Sequence, residues 1–294
     1  MDVTRLLRTL SVLSLVALAL ALLAPAAAPT PVQEAEGAAP PLRVLTANVR
    51  YGTARDGDHA WPRRRALALR VLEEARPDVL GLQEALRFQV DEVRARFPHH
   101  VVLGEGRDGG DRGEWTALLV DARRFTVRAA GTFRLAPEDR LGAVGWDAAL
   151  TRIATWAELS DREAGGAVLR VVNTHFDHRG REARLESARL IARFVAGRAA
   201  MPTVVLGDLN AGEGSPPLRA LAEAGYRDTF RDAEPDVAEV GTGHGFRGGR
   251  GGAKIDHVLV DEAFSVEEAW IDWTEEEGQY PSDHRFVGAA LRLR

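Results

Sequence analysis

The sequence predicts a single α/β domain in which two β-sheets face each other and helices cover their outer surfaces. Strand-like runs outnumber helical ones, helices interrupt the strands at intervals, and no internal repeat or linker divides residues 42–294. Sheets and helices each bury one apolar face, which favours layers stacked around a common core. Polar groups that carry chemistry are then expected on loops at the strand ends. The order of the strands does not follow from the periodicity.

Strands and helices alternate along the first half of the domain. Residues 42–49 alternate in polarity as a strand does, and residues 63–75 have the apolar spacing of a helix that Pro77 stops. A short buried strand follows at 78–83 and an amphipathic helix at 86–97. After a loop rich in glycine and aspartate at 104–113, strands are predicted at 115–120, 125–133, 151–159 and 168–174.

The alternation continues in the second half. A helix is predicted over residues 181–195, because its apolar side chains recur at helical spacing. A strand at 203–206 and a helix near 217–224 come next, and then a glycine-rich loop at 241–252. Three strand-like runs, which include 256–260 and 286–293, complete the chain.

The N-terminus has the pattern of a secretory signal. Arg5 and Arg8 precede an uncharged apolar run at residues 10–23, and Pro25 and three alanines follow it. The run has 14 residues, whereas a membrane-spanning helix needs roughly 20. We therefore expect a signal peptide at 1–28, an Ala/Pro-rich linker at 29–41 and a secreted or periplasmic domain at 42–294. An uncleaved membrane anchor is the alternative.

Composition limits the classes of partner. The chain has no cysteine, so disulfides and a lipid-modified cysteine at the N-terminus are excluded. Its formal net charge is −5, and residues 1–28 contribute +1 through Asp2, Arg5 and Arg8, so the remainder carries −6. This balance does not suggest a basic surface that coats nucleic acid, although a bound metal could supply positive charge to a nuclease.

Polar residues follow a hydrophobic run in the segment Gly207-Asp208-Leu209-Asn210. Because side chains two apart in a strand point to one face, Asp208 and Asn210 should emerge side by side. Asp283 and His284 stand just before the last strand-like run. Acid, amide and imidazole groups hold a hard divalent cation and move a proton at a phosphate. The pattern predicts a metal-dependent phosphoester hydrolase.

Several short blocks occur in order along essentially all of residues 42–294. They are Asn48 in Thr-Ala-Asn-Val, Glu84 in Leu-Gln-Glu, His175 in Asn-Thr-His-Phe, Asp208 and Asn210 in Gly-Asp-Leu-Asn, Asp256 in Lys-Ile-Asp-His, and Asp283 with His284 in Ser-Asp-His. These blocks resemble those of the endonuclease/exonuclease/phosphatase superfamily, which includes DNase I, abasic-site endonucleases, sphingomyelinases and inositol-polyphosphate 5-phosphatases. Residues 56–64, 152–157 and 244–246 further resemble blocks of secreted bacterial metal-dependent hydrolases related to the deadenylase branch.

Two departures from related patterns stand out. His59 occupies a position where the similar bacterial group is expected to have asparagine, and residues 173–176 differ from the corresponding block of abasic-site enzymes. The second difference argues against DNA repair, as does the predicted export. The resemblance implies a four-layered sandwich in which two mostly antiparallel sheets face each other between helices.

The resemblance also implies a metal site. Glu84 and Asp283 are the expected principal ligands, with Asn48 beside them. Magnesium prefers oxygen ligands and keeps several waters, so one or two carboxylates with an amide and a substrate phosphate suffice. We therefore expect Mg²⁺ as the cofactor and Mn²⁺ as its substitute.

Proton transfer and phosphate binding are implied for the remaining blocks. Asp208 is expected to orient or deprotonate the attacking water, and Asn210 to place that water and contact the phosphate. His284 needs a carboxylate partner, which by resemblance is Asp256, and His175 should touch the scissile phosphate. By resemblance, Glu114 is the expected carboxylate partner of His175. Further tentative members of the phosphate site or its surroundings are Arg152, Asp177, His178 and His244.

Other polar features have simpler interpretations. His257 follows Asp256 along a strand and should point to the opposite face, in the core or at the surface. Three arginines at residues 63–65 open a helix, where such side chains are usually solvated. The glycines at 248, 249, 251 and 252 are not followed by the Lys-Ser/Thr pair of a P-loop, because Ile255 follows Lys254. This difference excludes a P-loop nucleoside triphosphatase.

The sequence leaves the substrate open. Nuclease or phosphodiesterase action on nucleic acid competes with cleavage of small or lipid-derived phosphoesters, because specificity lies in loops rather than in the shared site. Trp61, Trp115, Trp146 and Trp156 are candidates for stacking on bases. A non-catalytic binding module is the alternative of another class. No obligate protein partner is evident, so a monomer acting on a phosphoester is expected.

Overall fold

Two six-stranded β-sheets form the body of the domain, which confirms the predicted fold class. The computed structural model describes residues 39–238 and 240–294. The predicted signal peptide at 1–28 and the predicted linker as far as residue 38 lie outside the described residues. Within residues 39–238 and 240–294, no helix is both long and apolar enough to cross a membrane.

Twelve strands and five α-helices make up the domain within the described residues. The strands are β1 (Leu42–Asn48), β2 (Val79–Gln83), β3 (His100–Leu103), β4 (Leu118–Asp121), β5 (Phe125–Arg134), β6 (Ile153–Asp161), β7 (Ala167–His175), β8 (Thr203–Asp208), β9 (Arg227–Asp228), β10 (Asp256–Val260), β11 (Phe264–Ile271) and β12 (Val287–Leu293). The helices are α1 (Trp61–Glu74), α2 (Arg87–Arg96), α3 (Arg181–Ala196), α4 (Pro216–Glu223) and α5 (Thr229–Ala233). Strands β3 and β9 and helix α5 have no counterpart among the predicted elements, because such short segments carry no measurable periodicity.

Both sheets are mostly antiparallel. The first has the order β11-β12-β1-β2-β4-β3 and the second β5-β6-β7-β8-β10-β9. One parallel pair lies inside each sheet, β1 with β2 and β7 with β8. In the second sheet Asp208 pairs in register with His175 of β7 and with Asp256 of β10. This register alone brings three of the predicted site residues to one end of the sheet.

The core lies between the two sheets, where apolar side chains from both meet. Buried members from the two sheets include Val44, Leu118, Leu169, Leu206 and Val258. At Gly81 the sheets come so close that a Cβ atom would lie 2.1 Å from Leu206 Cδ1. Any side chain at this position would push the sheets apart, since interiors are packed as densely as organic crystals.

Two further apolar layers attach the helices. Trp61, Leu72 and Val90 of α1 and α2 pack on the outer face of the first sheet. Ala188, Ile191 and Leu221 of α3 and α4 pack on the outer face of the second. The central strands β1, β2, β7, β8 and β10 are therefore mostly buried on both faces, and their polar ends are left to form a site.

Candidate active site

The polar residues selected from the sequence converge at the end of the two sheets. Asn48 and His175 are the last residues of β1 and β7, Asp208 is the last of β8, and Asp256 is the first of β10. Glu84 directly follows β2, and the loop that carries Asp283 and His284 leads into β12. Asn48 Nδ2 donates to Glu84 Oε1 at 3.1 Å and to Asp208 Oδ2 at 3.0 Å. This amide thus joins residues from both sheets in one site.

Three residues at this end of the molecule have backbone angles that side chains rarely adopt. Arg50, Glu84 and Asn210 have positive φ angles of 55°, 58° and 47°. Residues other than glycine rarely adopt this conformation, and it costs of order 1–3 kcal/mol at each position. Such strain persists where the surroundings enforce it, and it clusters at functional sites.

Asp208, Asp256 and His284 form a compact group whose ligating atoms lie within 4.8 Å of one another. His284 Nδ1 lies 2.9 Å from Asp256 Oδ2 and 3.8 Å from Asp208 Oδ2. Burial, followed by the charge of Asp256, raises the pKa of Asp208 to about 7. Burial alone would lower the pKa of His284, but the carboxylates of Asp256 and Asp208 outweigh it and raise that pKa well above its usual value.

Two carboxylates and an imidazole at these distances could ligate a metal ion, but the contacts agree better with a protonated imidazole that is hydrogen-bonded to a carboxylate. His284 Nδ1 is within hydrogen-bond distance of Asp256, and the raised pKa of the ring favours the imidazolium. An imidazolium has no free lone pair for a metal, because both ring nitrogens carry hydrogen. Its positive charge already compensates the buried carboxylates, so we assign this group to proton handling.

His175 has a different partner from the one expected. Arg152 Nη1 lies 3.0 Å from His175 Nδ1, and Arg152 is only 5% exposed. Because a guanidinium only donates, Nδ1 accepts this hydrogen bond, and Nε2 lies 3.4 Å from Asp208 Oδ2. Burial, with the charge of Arg152 next, lowers the pKa of His175 well below its usual value. A carboxylate therefore lies beside His175 as expected, but it belongs to Asp208, and Arg152 makes the shorter contact.

The expected pairing of Glu114 with His175 is wrong. Glu114 Oε2 accepts from Arg107 at 2.7 Å and lies 4.0 Å from Arg152, which separates it from the imidazole. His178 Nδ1 accepts from the same guanidinium at 3.1 Å. Arg152 therefore directs a hydrogen of each Nη group at an imidazole, so it supports two histidines at once.

Asp177 and Asn210 complete the surroundings of His175. Asp177 is buried, accepts from the backbone of Arg179 and Gly180 at 2.9 Å and 2.8 Å, and lies 3.4 Å from Arg152 Nε. The Asp177 carboxylate therefore stabilises the turn after β7 and orients Arg152. Because it is buried by these contacts, it is not available to a phosphate. Asn210 Nδ2 lies 3.1 Å from His175 Nε2 and donates to Phe176 O at the same distance.

Glu84 and Asp283 provide oxygen atoms that fit a divalent cation. Both carboxylates approach one guanidinium, since Arg50 lies 4.0 Å from Glu84 and 3.7 Å from Asp283. Burial raises the pKa of Asp283, and the charge of Glu84 adds to the effect. Two carboxylates that converge on a common positive charge match the oxygen-rich, thiolate-free ligand set of Mg²⁺. Asn48 Oδ1 accepts from Arg50 N at 3.0 Å, so its role as a third ligand stays a prediction.

Two arginines of the site were not selected from the sequence. Arg50 stands two residues after Asn48 and donates to Asp56 at 3.0 Å and 3.1 Å. Arg64 was expected to be solvated but is 0% exposed, because its guanidinium donates to the carbonyls of His59, Pro281, Val49 and Arg50. Burial lowers the pKa of Arg64 to about 10. The position of Arg50, two residues beyond the end of a strand, could have identified it as a site residue. No feature of the local sequence distinguishes Arg64 from Arg63 and Arg65.

The two remaining histidines near these loops have different surroundings. The backbone N–H of His244 donates to Asp283 O at 2.9 Å, which places this buried residue beside a candidate metal ligand. His257 lies on the opposite side of β10 in the core, with Nδ1 2.6 Å from Asp228 and Nε2 3.0 Å from Ala211 O. Lys254 Nζ donates to the same Asp228 carboxylate at 2.7 Å. His257 and Lys254 are buried and Asp228 is 13% exposed, so this network packs behind the strand that carries Asp256.

Known proteins share this arrangement of sheets. An endonuclease/exonuclease/phosphatase from Bacteroides vulgatus is 33% identical, with a TM-score of 0.80 over 86% of this chain and 99% of its own. A mannosyl-6-phosphatase from Bacteroides thetaiotaomicron is 26% identical, with a TM-score of 0.78 over 86% of this chain and 100% of its own. The catalytic domain of human Nocturnin, solved with a bound sulfate, is 19% identical and shares the fold, with a TM-score of 0.70 over 87% of this chain and 95% of its own. A search of curated proteins found no match.

A family model agrees with the structural neighbours and with the resemblance seen in the sequence. The model of the endonuclease/exonuclease/phosphatase family matches residues 45–284, which include every residue of the candidate site. The match extends over most of the chain, from within β1 to the loop before β12. The chain therefore belongs to the endonuclease/exonuclease/phosphatase family and is a phosphoester hydrolase.

Proposed function

We propose that this protein is an exported, Mg²⁺-dependent hydrolase of phosphate esters, with Mn²⁺ as the substitute ion. The observation that carries the proposal is the amide of Asn48, which contacts both Glu84 and Asp208. It joins a pair of carboxylates suited to a divalent ion to a group suited to proton transfer. Hydrolysis of a phosphate ester needs both kinds of group next to one phosphorus atom.

Glu84 and Asp283 would hold the ion. When bound, Mg²⁺ polarises a phosphoryl oxygen and offsets the negative charge that develops during water attack. The side chains of Glu84 and Asp283 are only 15% and 16% exposed, so both lie in a partly desolvated cleft where charge interactions are strong. Arg50 adds a fixed positive charge beside them.

Asp208 is the candidate general base. It takes a proton from the attacking water while the new P–O bond forms and the bond to the leaving oxygen breaks. Asn210 N donates to Asp208 Oδ1 at 2.8 Å, which turns the other oxygen toward Asn48 and the histidines. A base works best when its pKa is near the working pH, and burial raises the pKa of Asp208 to about 7.

The two histidines have unequal roles. His284 is protonated and held by Asp256, so its Nε2–H can stabilise a phosphoryl oxygen or supply a proton to the leaving oxygen. Burial, with the charge of Arg152 next, lowers the pKa of His175 and keeps the ring neutral. The ring lies between Arg152 and Asp208, so it helps to position the candidate base. The pair therefore combines one charged donor with one neutral ring beside Asp208.

Removal of divalent ions should abolish activity. We expect no turnover in EDTA, recovery with Mg²⁺ or Mn²⁺, and poor recovery with Zn²⁺, because the ligand set is rich in oxygen and lacks thiolates. Phosphate release from a generic phosphoester after exhaustive chelation checks this. Robust turnover in EDTA would refute the metal requirement.

Small phosphoesters are the substrates that the structure favours over nucleic acid. Trp61 and Trp115, two candidates for base stacking, belong to the core, at 2% and 6% exposed. The negative net charge also disfavours a polyanion. A related structure, 26% identical, is a mannosyl-6-phosphatase. Nuclease action is the second candidate, and a panel of DNA, RNA, oligoadenylate, lipid headgroups and sugar or inositol phosphates separates the two.

Export is proposed from the N-terminal pattern alone. Cleavage after Ala28 would leave a mature chain that begins near Pro29. N-terminal sequencing of protein recovered outside the cytoplasm should therefore start at that residue. An intact Met1 on membrane-bound protein would show instead that residues 10–23 act as an anchor.

A further inference from the structure

The guanidinium of Arg50 is fixed along one edge and open along the other. Arg50 Nε donates to Asp56 Oδ2 at 3.1 Å, and Nη2 donates to Asp56 Oδ1 at 3.0 Å. Within the part of the chain that the structure describes, these are the hydrogen bonds of the side chain, and Nη1 makes none. The side chain is 28% exposed. We refer to Nη1 and the second hydrogen of Nη2 as the open edge, because a ligand can reach it.

The rest of Arg50 is held in place by its neighbours. The Tyr51 ring covers one face of the guanidinium, with 4.8 Å between Arg50 Cζ and the ring centroid. The backbone N–H donates to Asn48 Oδ1 at 3.0 Å, and the carbonyl accepts from Gln89 Nε2 at 3.0 Å. These contacts maintain the φ angle of 55°, which residues with a side chain rarely adopt. The open edge is therefore presented in one orientation.

The open edge lies beside the two candidate metal ligands without being satisfied by them. Arg50 Nη1 is 4.0 Å from Glu84 Oε2, and Nε is 3.7 Å from Asp283 Oδ2. Both distances exceed those of a hydrogen bond. A phosphate bound to an ion at Glu84 and Asp283 would thus lie next to an unoccupied pair of N–H donors.

The chemistry of the open edge matches a phosphate. Two N–H groups on one side of a planar guanidinium form a pair of parallel hydrogen bonds to two oxygens of a phosphate. The hydrogen bond to Asp56 raises the pKa of Arg50 above its usual value, so the positive charge is present at any working pH. We propose that the open edge of Arg50 binds two nonbridging oxygens of the substrate phosphate, and that Asp56 is the positioning residue that orients it. This inference rests on the proposed function and adds a substrate-binding residue to it.

A different role for Arg50 would be to offset the charge of Glu84 and Asp283. The two roles have different requirements, because an offsetting charge can come from any cation, whereas two parallel hydrogen bonds need a planar fork. Lysine keeps the charge but lacks the fork. The substitution Arg50→Lys therefore separates the roles.

The test measures kcat/KM with Mg²⁺ and the inhibition constant Ki of inorganic phosphate, the probe for this contact. We expect Arg50→Lys to raise Ki about tenfold and to lower kcat/KM at least as much, as for the loss of one good charge-assisted contact. Asp56→Asn should change both quantities in the same direction but less. The double variant should be little worse than Arg50→Lys, because the two residues act as one unit. Arg55→Lys, on the same loop and exposed, is the matched control.

A second measurement does not depend on turnover. Calorimetric titration with Mn²⁺ should give Arg50→Lys the affinity of the wild type, because Glu84, Asp283 and the neighbouring positive charge are all retained. Thermal unfolding of each variant verifies that it is folded.

The outcomes separate this inference from the proposed function. A wild-type Ki and kcat/KM in Arg50→Lys would overturn the phosphate contact and leave the hydrolase and its metal site intact. Weakened Mn²⁺ binding that accounts for the whole rise in Ki would assign Arg50 to the metal site instead. Additive losses in the double variant would refute the positioning role of Asp56. Absence of hydrolysis of any phosphoester by the wild type would refute the proposed function itself, and this inference with it.

Discussion

Replacement of His284 by alanine should lower kcat by about 10²-fold or more on every phosphoester that the protein hydrolyses. Groups that transfer a proton or stabilise developing charge contribute roughly 10²–10⁴-fold each. His284 is held 2.9 Å from Asp256 and 3.8 Å from Asp208, so its charge is fixed beside the candidate base. Initial rates at saturating substrate measure the loss.

Asp256→Asn should behave as a weaker form of His284→Ala. The imidazole stays in place, but the charge that stabilises its protonated form is lost. The double variant should be little worse than His284→Ala alone, because the two residues act as one unit. Additive losses in the double variant would show that Asp256 acts separately from His284.

The choice of control follows from the structure. His257→Ala is unsuitable, because His257 is fully buried and contacts Asp228, Lys254 and Ala211, so its loss would destabilise the core. His99 is exposed on the turn before β3, and His99→Ala should keep full activity. Normal turnover of His284→Ala would contradict the assigned roles.

Glu84→Gln and Asp283→Asn should each raise the Mg²⁺ concentration required for half-maximal activity by about 10²-fold. Loss of a residue that merely orients a ligand costs roughly 10–100-fold in metal affinity, so loss of a charged ligand should cost at least as much. The neutral amides preserve the size of the side chain, which limits any effect on packing. Exposed Glu74→Gln is the matched control on α1.

Metal binding to these variants can be measured without turnover. Calorimetric titration with Mn²⁺ should give weaker binding to Glu84→Gln and Asp283→Asn than to the wild type. An ion that binds the folded state also raises Tm, so Mg²⁺ should stabilise the wild type and Glu74→Gln more than either variant. Equal affinity in all four proteins would place the ion elsewhere, for example at Asp208, Asp256 and His284.

Much of the architecture follows from sequence periodicity, and the exceptions have physical causes. Strands such as β1 and β8 are apolar runs that end in polar residues, so both the strands and the positions of Asn48 and Asp208 can be predicted. Strand β3 covers only four residues at a sheet edge, which is too short for a recognisable alternation. Pairing within the second sheet then brings His175 and Asp256 to Asp208.

The partners of the site residues were harder to predict. Arg152 reaches His175 because β6 and β7 are antiparallel neighbours, which places the start of one strand beside the end of the other. Arg64 is buried because the first turn of α1 faces two loops whose carbonyls need donors. Both facts depend on tertiary contacts, and neither arginine differs locally from one at a solvated surface.

Release of inorganic phosphate by the purified protein tests the central claim most directly. The assay compares the wild type with His284→Ala on sugar, inositol and glycerol phosphates, with Mg²⁺ and then with EDTA. The account predicts release that requires the ion and falls about 10²-fold or more in the variant on every substrate that the wild type hydrolyses. Equal rates for the two proteins, or undiminished release in EDTA, would contradict it.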